Sequence, residues 1–278
     1  MNTLDPIALR LGPLQIHWYG ICYALAFVWV WWFLQVMVRK RWTSFTVEQL
    51  ENYLLWFIGA ELVGARLLEV LYYNPSYYFA NPVKIFAIWE GGLSFHGGLV
   101  GVIIAALILT RRQQHSFWHL ADVFVLPASL AQAFGRFGNF FNHELFGHVT
   151  TAPWGVNFRG EIDATGAFVF RHPSQLYEAL YNIVIFMLLF GRQWWYAKKG
   201  LSLRAGSQFG SFLILYGTFR FVTEFFRVPD YMIGPLTAGQ LLCLPMIMAG
   251  FVILIVARKQ STSGQKKEHV ELHAAVKK

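Results

Sequence analysis

Apolar residues are not spread evenly along this chain. They gather into seven stretches of spanning length, near His17–Val38, Leu50–Tyr73, Leu93–Thr110, Phe117–Phe134, Leu176–Trp195, Phe209–Phe226 and Ala238–Ala257. A helix needs about 20 predominantly apolar residues to cross the hydrocarbon layer of a bilayer. Inside that layer the backbone must satisfy its own hydrogen bonds, so runs of this length are expected to be helical. The pattern predicts an all-α polytopic membrane protein with about seven transmembrane helices. The longest polar interval, Gly135–Pro173, is rich in glycine and aromatic residues. It predicts a small, partly extended extracytoplasmic head. Asn74–Pro82 reads as a turn-rich connection, and the charged tail from Gln260 as disordered. The expected organisation is therefore residues 1–134 with helices one to four, 135–174 with a polar hairpin and the head, 175–258 with helices five to seven, and 259–278 as the tail.

Composition supports the membrane reading. Of 278 residues, 56% are hydrophobic and 14% charged, where soluble domains carry roughly 25% charged residues. Trp18, Trp42, Trp89, Trp118, Trp194 and Trp195 lie near the ends of apolar runs, the depth favoured by amphipathic rings. Cys22 and Cys243 have neither metal-ligand nor disulfide spacing and read as small buried hydrophobes. The stretch Met1–His17 lacks a basic start and precedes Arg39, Lys40 and Arg41, which predicts a retained first helix.

Charge sets the orientation. Arg39, Lys40, Arg41, Arg111, Arg112, Arg192, Lys198, Lys199, Arg204, Arg258, Lys259, Lys266, Lys267, Lys277 and Lys278 all fall on one face of a seven-span topology, fifteen of the 23 Lys and Arg. The positive-inside rule then places the amino terminus outside and the carboxyl terminus in the cytoplasm. The net charge of +8 is divided among short loops, which argues against a nucleic-acid partner.

Charges within spans are costly and ask for a reason. Glu61, Arg66 and Glu69 lie in the second span, Asp122 in the fourth, Glu178 at the start of the fifth, and Arg220 and Glu224 in the sixth, with Arg227 just beyond. Helix-to-helix salt bridges are the bland explanation, and Arg220 with Glu224 has i, i+4 spacing. Arginine also presents a planar fork suited to phosphate. Arg136, Arg220 and Arg227 fall at one depth, near the outer surface. His96 sits in a glycine frame, Gly91-Gly92-Leu93-Ser94-Phe95-His96-Gly97-Gly98, and its ordinary pKa suits proton transfer. The densest polar stretch runs from Gly135 to Gly147 and holds Arg136, Asn139, Asn142, His143 and Glu144. It reads as a tight-turning hairpin at the membrane surface.

That stretch resembles the signature of the prolipoprotein diacylglyceryl transferases, Gly-Arg-x-Gly-Asn-Phe-x-Asn-x-Glu-x-x-Gly, at every specified position. The family's His-Trp-Tyr-Gly matches His17–Gly20, and its Ser-Phe-His-Gly-Gly matches Ser94–Gly98. Its Arg-His-Pro-Ser-Gln-Leu-Tyr-Glu matches Arg171–Glu178. Its Tyr-Gly-x-Phe-Arg and Glu-Phe-Phe-Arg match Tyr216–Arg220 and Glu224–Arg227. His143 stands at a variable spot of the pattern, where the family often has glycine.

The resemblance implies an enzyme of the bacterial cytoplasmic membrane. It would move the diacylglyceryl group of phosphatidylglycerol onto the lipobox cysteine of a prolipoprotein signal peptide. A thioether forms and glycerol phosphate leaves, the first step of lipoprotein maturation. No metal or organic cofactor is implied; the partners are phosphatidylglycerol, the signal peptide and membrane lipid. In the mechanism expected here, His96 acts as base toward the thiol, and Arg136 and Arg220 grip the phosphate. Tyr19, Asn139 and Asn142 orient the headgroup. Glu144 and Glu224 hold the arginines or bind glycerol hydroxyls. Gly147, Tyr216 and Arg227 complete the expected substrate-binding set. Two rivals stay open from the residues alone: a transporter or channel for an anionic substrate, and a non-catalytic lipid-binding scaffold.

Overall fold

A computed structural model describes residues 5–12, 14–229 and 231–259. The predicted tail, apart from Lys259, lies outside them. A hairpin of β1 (Ile7–Leu11) and β2 (Leu14–His17), paired antiparallel, precedes the helices. Then follow α1 (Trp18–Arg39), α2 (Val47–Leu68), α3 (Pro75–Ala80), α4 (Phe95–Arg112), α5 (Phe117–Phe141), α6 (Ser174–Lys198), α7 (Ser207–Thr223) and α8 (Ala238–Lys259). A two-residue pairing of β3 (Met232–Ile233) with β4 (Leu236–Thr237) leads into α8. All seven apolar stretches are helical. Five of these helices, α1, α4, α5, α6 and α8, are both long and apolar enough to cross a membrane. The chain is an all-α polytopic membrane protein.

The other two fall short for legible reasons. α7 has only 17 residues. α2 has 22 but carries Glu48, Glu51, Glu61 and Arg66. Its first turn is closed by a capping box, with Thr46 accepting from the Gln49 amide and Gln49 accepting from the Thr46 amide. Beyond Leu68 it continues as a π-turn over Glu69–Tyr73.

Three local expectations need correction. The stretch from Gly135 does not turn at once; α5 continues through it to Phe141, so Arg136 and Asn139 are helical residues one turn apart. Asn74–Pro82 is not wholly turn, because Pro75 opens the short helix α3, as its fixed φ favours. The span beginning at His17 is helical only from Trp18, since His17 closes β2.

The chain forms two compact units. One comprises residues 37–120. In it α2 and α4 cross with their backbones in contact: a Cβ on Gly97 would lie 2.3 Å from the Gly64 carbonyl, and one on Gly101 2.2 Å from that of Ala60. Small residues make such crossings possible. The other comprises the described residues of 5–36 and 121–259. There α7 and α8 pack similarly: Gly217 faces Ile247, and Gly210 faces the Gly250 carbonyl. Asp122, on α5, accepts from the amides of Gly206 and Phe209 at 2.7 Å each. It caps the start of α7, where a carboxylate meets unpaired amides and the positive end of the helix dipole.

The head between α5 and α6 folds around Phe158, which is 1% exposed. Phe146 stacks on that ring at 5.2 Å, and Phe140 and His143 meet it edge-on. Arg171 binds Glu161 through two 2.7 Å bonds. Asn157 donates to the carbonyls of Glu161 and Val169. Extended pairing is limited to isolated bridges such as Val149 with Arg171 and Ile162 with Phe168.

Candidate active site

The unit that contains α1 and α5 to α8 gathers three arginines around one carboxylate. Glu178, one turn into α6, is fully buried. Its Oε2 lies 2.8 Å from Arg136 Nε on α5. Its Oε1 lies 3.1 Å from Arg227 Nη1 and 3.7 Å from Arg220 Nη1. Arg220 also pairs with Glu224, the i, i+4 partner expected on α7, and Arg227 Nε lies 3.8 Å from the same carboxylate. Two carboxylates thus face three guanidinium groups. A buried charge is tolerated only when paired, and this cluster pairs each member while leaving one positive charge in excess. Arg220 Nη1 and Arg227 Nε are buried yet lack a well-aligned hydrogen-bond partner among the described residues.

Sequence position hides why these groups meet. Arg136 arrives on α5, Glu178 on α6, Arg220 on α7, and Arg227 just past the short 3₁₀ turn Glu224–Phe226. Glu224 is fixed from α8. Thr237 Oγ1 donates to its Oε1 at 3.0 Å, and a Cβ on Gly239 would sit 2.5 Å from that oxygen. Only a glycine lets the carboxylate approach the start of α8 so closely. Thr237 and Gln240 form a reciprocal cap on that helix.

The signature residues extend the cluster. Arg136 Nη1 donates to Asn139 Oδ1 at 3.2 Å, and Asn139 Nδ2 donates to Glu144 at 2.8 Å. Asn142 reaches the same Glu144 oxygen at 3.5 Å, the outer limit of a hydrogen bond. Tyr216 lies beside Arg136, and its ring packs edge-on against Tyr181, whose hydroxyl donates to Glu178 at 3.5 Å. Tyr19, on α1, packs over Gly138, where an added Cβ would lie 3.1 Å from its ring. Glycine there brings α1 against α5.

The residues after α5 are held by the start of α6. Ser174 donates to the Leu145 carbonyl at 2.8 Å and Gln175 to that of Glu144 at 2.6 Å. His143 and Leu145 turn with positive φ, 53° and 58°, which explains why a glycine suits position 143. The His143 ring is buried against Phe158, and burial pushes its pKa down.

Two further sequence-predicted residues, Gly147 and His96, stand apart from these side-chain contacts, although Gly147 bridges to Arg227 through its backbone. Gly147 serves as a backbone junction. Its amide donates to the His172 carbonyl, and an added Cβ would lie 2.1 Å from the Phe226 carbonyl and 2.8 Å from His172 Cβ. That close backbone packing requires glycine there. His96 belongs to the other unit, as the second residue of α4, with its side chain exposed. Glu178, Thr237 and Gly239 were missing from the predicted set. Glu178 stood out only as a span charge, whereas Thr-Ala-Gly-Gln at 237–240 carries a readable capping signature. Among the described residues no group of three or more His, Cys, Asp or Glu is arranged to hold a metal ion.

Comparison with known proteins identifies the family. Residues 6–256 match the family described as prolipoprotein diacylglyceryl transferase. Similar relatives carry the name phosphatidylglycerol–prolipoprotein diacylglyceryl transferase. That of Bordetella parapertussis is 43% identical over 269 residues, covering 93% of this chain and 97% of the relative. That of Oleidesulfovibrio alaskensis is 43% identical over 274 residues, covering 95% and 97%. That of Glaesserella parasuis is 42% identical over 260 residues, covering 92% and 93%. With nearly its whole length matched, the chain belongs to the prolipoprotein diacylglyceryl transferase family.

Proposed function

We propose that this protein transfers the diacylglyceryl group of phosphatidylglycerol to the lipobox cysteine of a prolipoprotein. The observation that carries the mechanism is the convergence of Arg136, Arg220 and Arg227 on Glu178. In the reaction a thiolate attacks the glyceryl carbon, the carbon–oxygen bond to phosphate breaks, and glycerol phosphate departs with the bonding pair. Charge grows on the departing phosphate, and preorganised donors that meet it lower the barrier. Arg136 and Arg220 take that task, with Arg227 adding charge. Glu178 and Glu224 hold the guanidinium groups in place before substrate arrives, so little reorganisation accompanies the reaction. Asn139, Asn142, Tyr19 and Tyr216 orient the headgroup, and Glu144 steadies the amides or meets glycerol hydroxyls.

The nucleophile must be a thiolate, and a free cysteine has a pKa of about 8.5. His96 receives the thiol proton in this reading. The protein sits in the bacterial cytoplasmic membrane with its amino terminus outside, the orientation that the positive-inside rule gives when the basic loops face the cytoplasm. The signal-peptide helix and the lipid tails share the bilayer with it. Transport of an anion is the weaker reading, since Glu178 and Glu224 engage Arg136, Arg220 and Arg227 in one mutual cluster.

The test is to incubate the purified protein with phosphatidylglycerol and a lipobox peptide and to measure thioether product by mass spectrometry. Arg136→Ala should lower turnover by about 10²–10³-fold, the usual loss of a transition-state donor, in protein that remains folded and inserted. Near-normal turnover would remove Arg136 from the phosphate site. His96→Gln should change the pH–rate profile; an unaltered profile would end the base assignment. Anion flux in liposomes without product would favour the transporter.

A further inference from the structure

Arg66 stands near the end of α2, where a span charge would ordinarily seek a carboxylate. It is 6% exposed and gathers backbone carbonyls instead. Nε donates to Ile85 at 2.9 Å, Nη1 to Gly91 at 2.6 Å and Gly92 at 2.9 Å, and Nη2 to Lys84 and, at 3.2 Å, Ala87. Five donors of one planar fork are thereby matched to five acceptors. The guanidinium also lies 4.7 Å from the centre of the Tyr78 ring.

The segment so gathered has little regular bonding of its own. It consists of two 3₁₀ turns, Pro82–Phe86 and Ile88–Glu90, followed by Gly91 and Gly92 at φ 87° and 70°. Carbonyls in such a segment need donors from elsewhere when they are buried. The tie then passes directly into α4. Next to Arg66, the Ala65 carbonyl accepts from the Ser94 amide at 3.1 Å. Ser94 caps α4 by accepting from the Gly97 amide at 3.3 Å, and Gly97 rests on Gly64. Three consecutive residues of α2, Gly64, Ala65 and Arg66, therefore fix the backbone on both sides of His96. His96 is four residues past the last carbonyl that Arg66 holds.

We propose that Arg66 is a positioning residue for the reaction: by clamping residues 84–92 it sets the start of α4, and so the place from which His96 acts. The proposal rests on His96 taking part in turnover, and it makes a separate demand, that Arg66 and His96 be coupled. A displacement near 1 Å at a reacting group lowers rates by about 10²-fold.

The experiment is a double-mutant cycle on the membrane-inserted full chain, with rates normalised to folded protein. Arg66→Lys keeps the charge but cannot span five carbonyls. It should lower kcat by about 10–100-fold, with KM for phosphatidylglycerol and for a lipobox peptide changed by less than about threefold. In a His96→Gln background the same substitution should cost less than about threefold. Gly92→Ala is the second probe, because its Cβ would lie 2.7 Å from the Tyr78 hydroxyl and 3.1 Å from Arg66 Nη1; it should show the same coupling to His96. Equal losses in both backgrounds, or an unchanged kcat in Arg66→Lys, would overturn the positioning role. The base assignment fails by a different readout, an unaltered pH–rate profile in His96→Gln with Arg66 intact.

Discussion

At the scale of single residues, Glu178 matters most. A fully buried carboxylate faces three arginines at 2.8, 3.1 and 3.7 Å. Removing one partner from a buried ion pair costs about 3–5 kcal/mol, because the others stay desolvated and uncompensated. Glu178→Gln is therefore expected to lower the thermal midpoint in detergent and to abolish turnover together. A variant with native stability would show that Arg136, Arg220 and Arg227 do not depend on this carboxylate. The sequence displayed the members of this cluster but not their meeting. Arg220 with Glu224 was readable from helical spacing. The approach of Arg136 to Glu178 was not, because it depends on how α5 packs against α6. Gly147 and Gly239 show the same limit: their need for a bare Cα comes from backbone brought close by distant parts of the chain.

At the scale of elements, the helices were legible because burial in lipid demands long apolar runs, and the head was not, because its order comes from a few side chains. The position of each long helix followed from hydropathy. The end of α5 did not, since Arg136 and Asn139 look like loop residues until Glu178 and Glu144 supply partners. In the head, Arg171 grips Glu161 in a two-bond fork, and that hydrogen bond lowers the Glu161 pKa. A carboxylate whose folded pKa is lowered adds stability above the ordinary glutamate range, near 4.3. That contribution is lost as pH falls through the folded value. The difference in thermal midpoint between the protein and Glu161→Gln should therefore be present at pH 7 and shrink below about pH 4. A difference that stays constant into the acid range would show that the pair does not titrate as described.

At the scale of the whole molecule, the proposed orientation rests on charge. The head carries Asp163 and Thr165 in an exposed turn, whereas Ser202 lies in the basic connection between α6 and α7. Cys22 and Cys243 are buried, 7% and 2% exposed, so a cysteine placed at either exposed site gives a clean signal. Thr165→Cys should react with a membrane-impermeant thiol reagent in intact cells, and Ser202→Cys only after the membrane is opened. The reverse pattern would invert the topology.

The cap that Asp122 forms on α7 has a geometric consequence. From Asp122 to Arg136 along α5 is fourteen residues, and from Gly206 to Arg220 along α7 is also fourteen, a rise of about 21 Å in each. The two helices act as uprights of equal length, joined at the bottom by a carboxylate on amides and at the top by Glu178 between guanidinium groups. Lengthening one upright by a single residue would lift its arginine about 1.5 Å and swing it about 100° around the axis. The matched lengths keep both guanidinium groups level with one another.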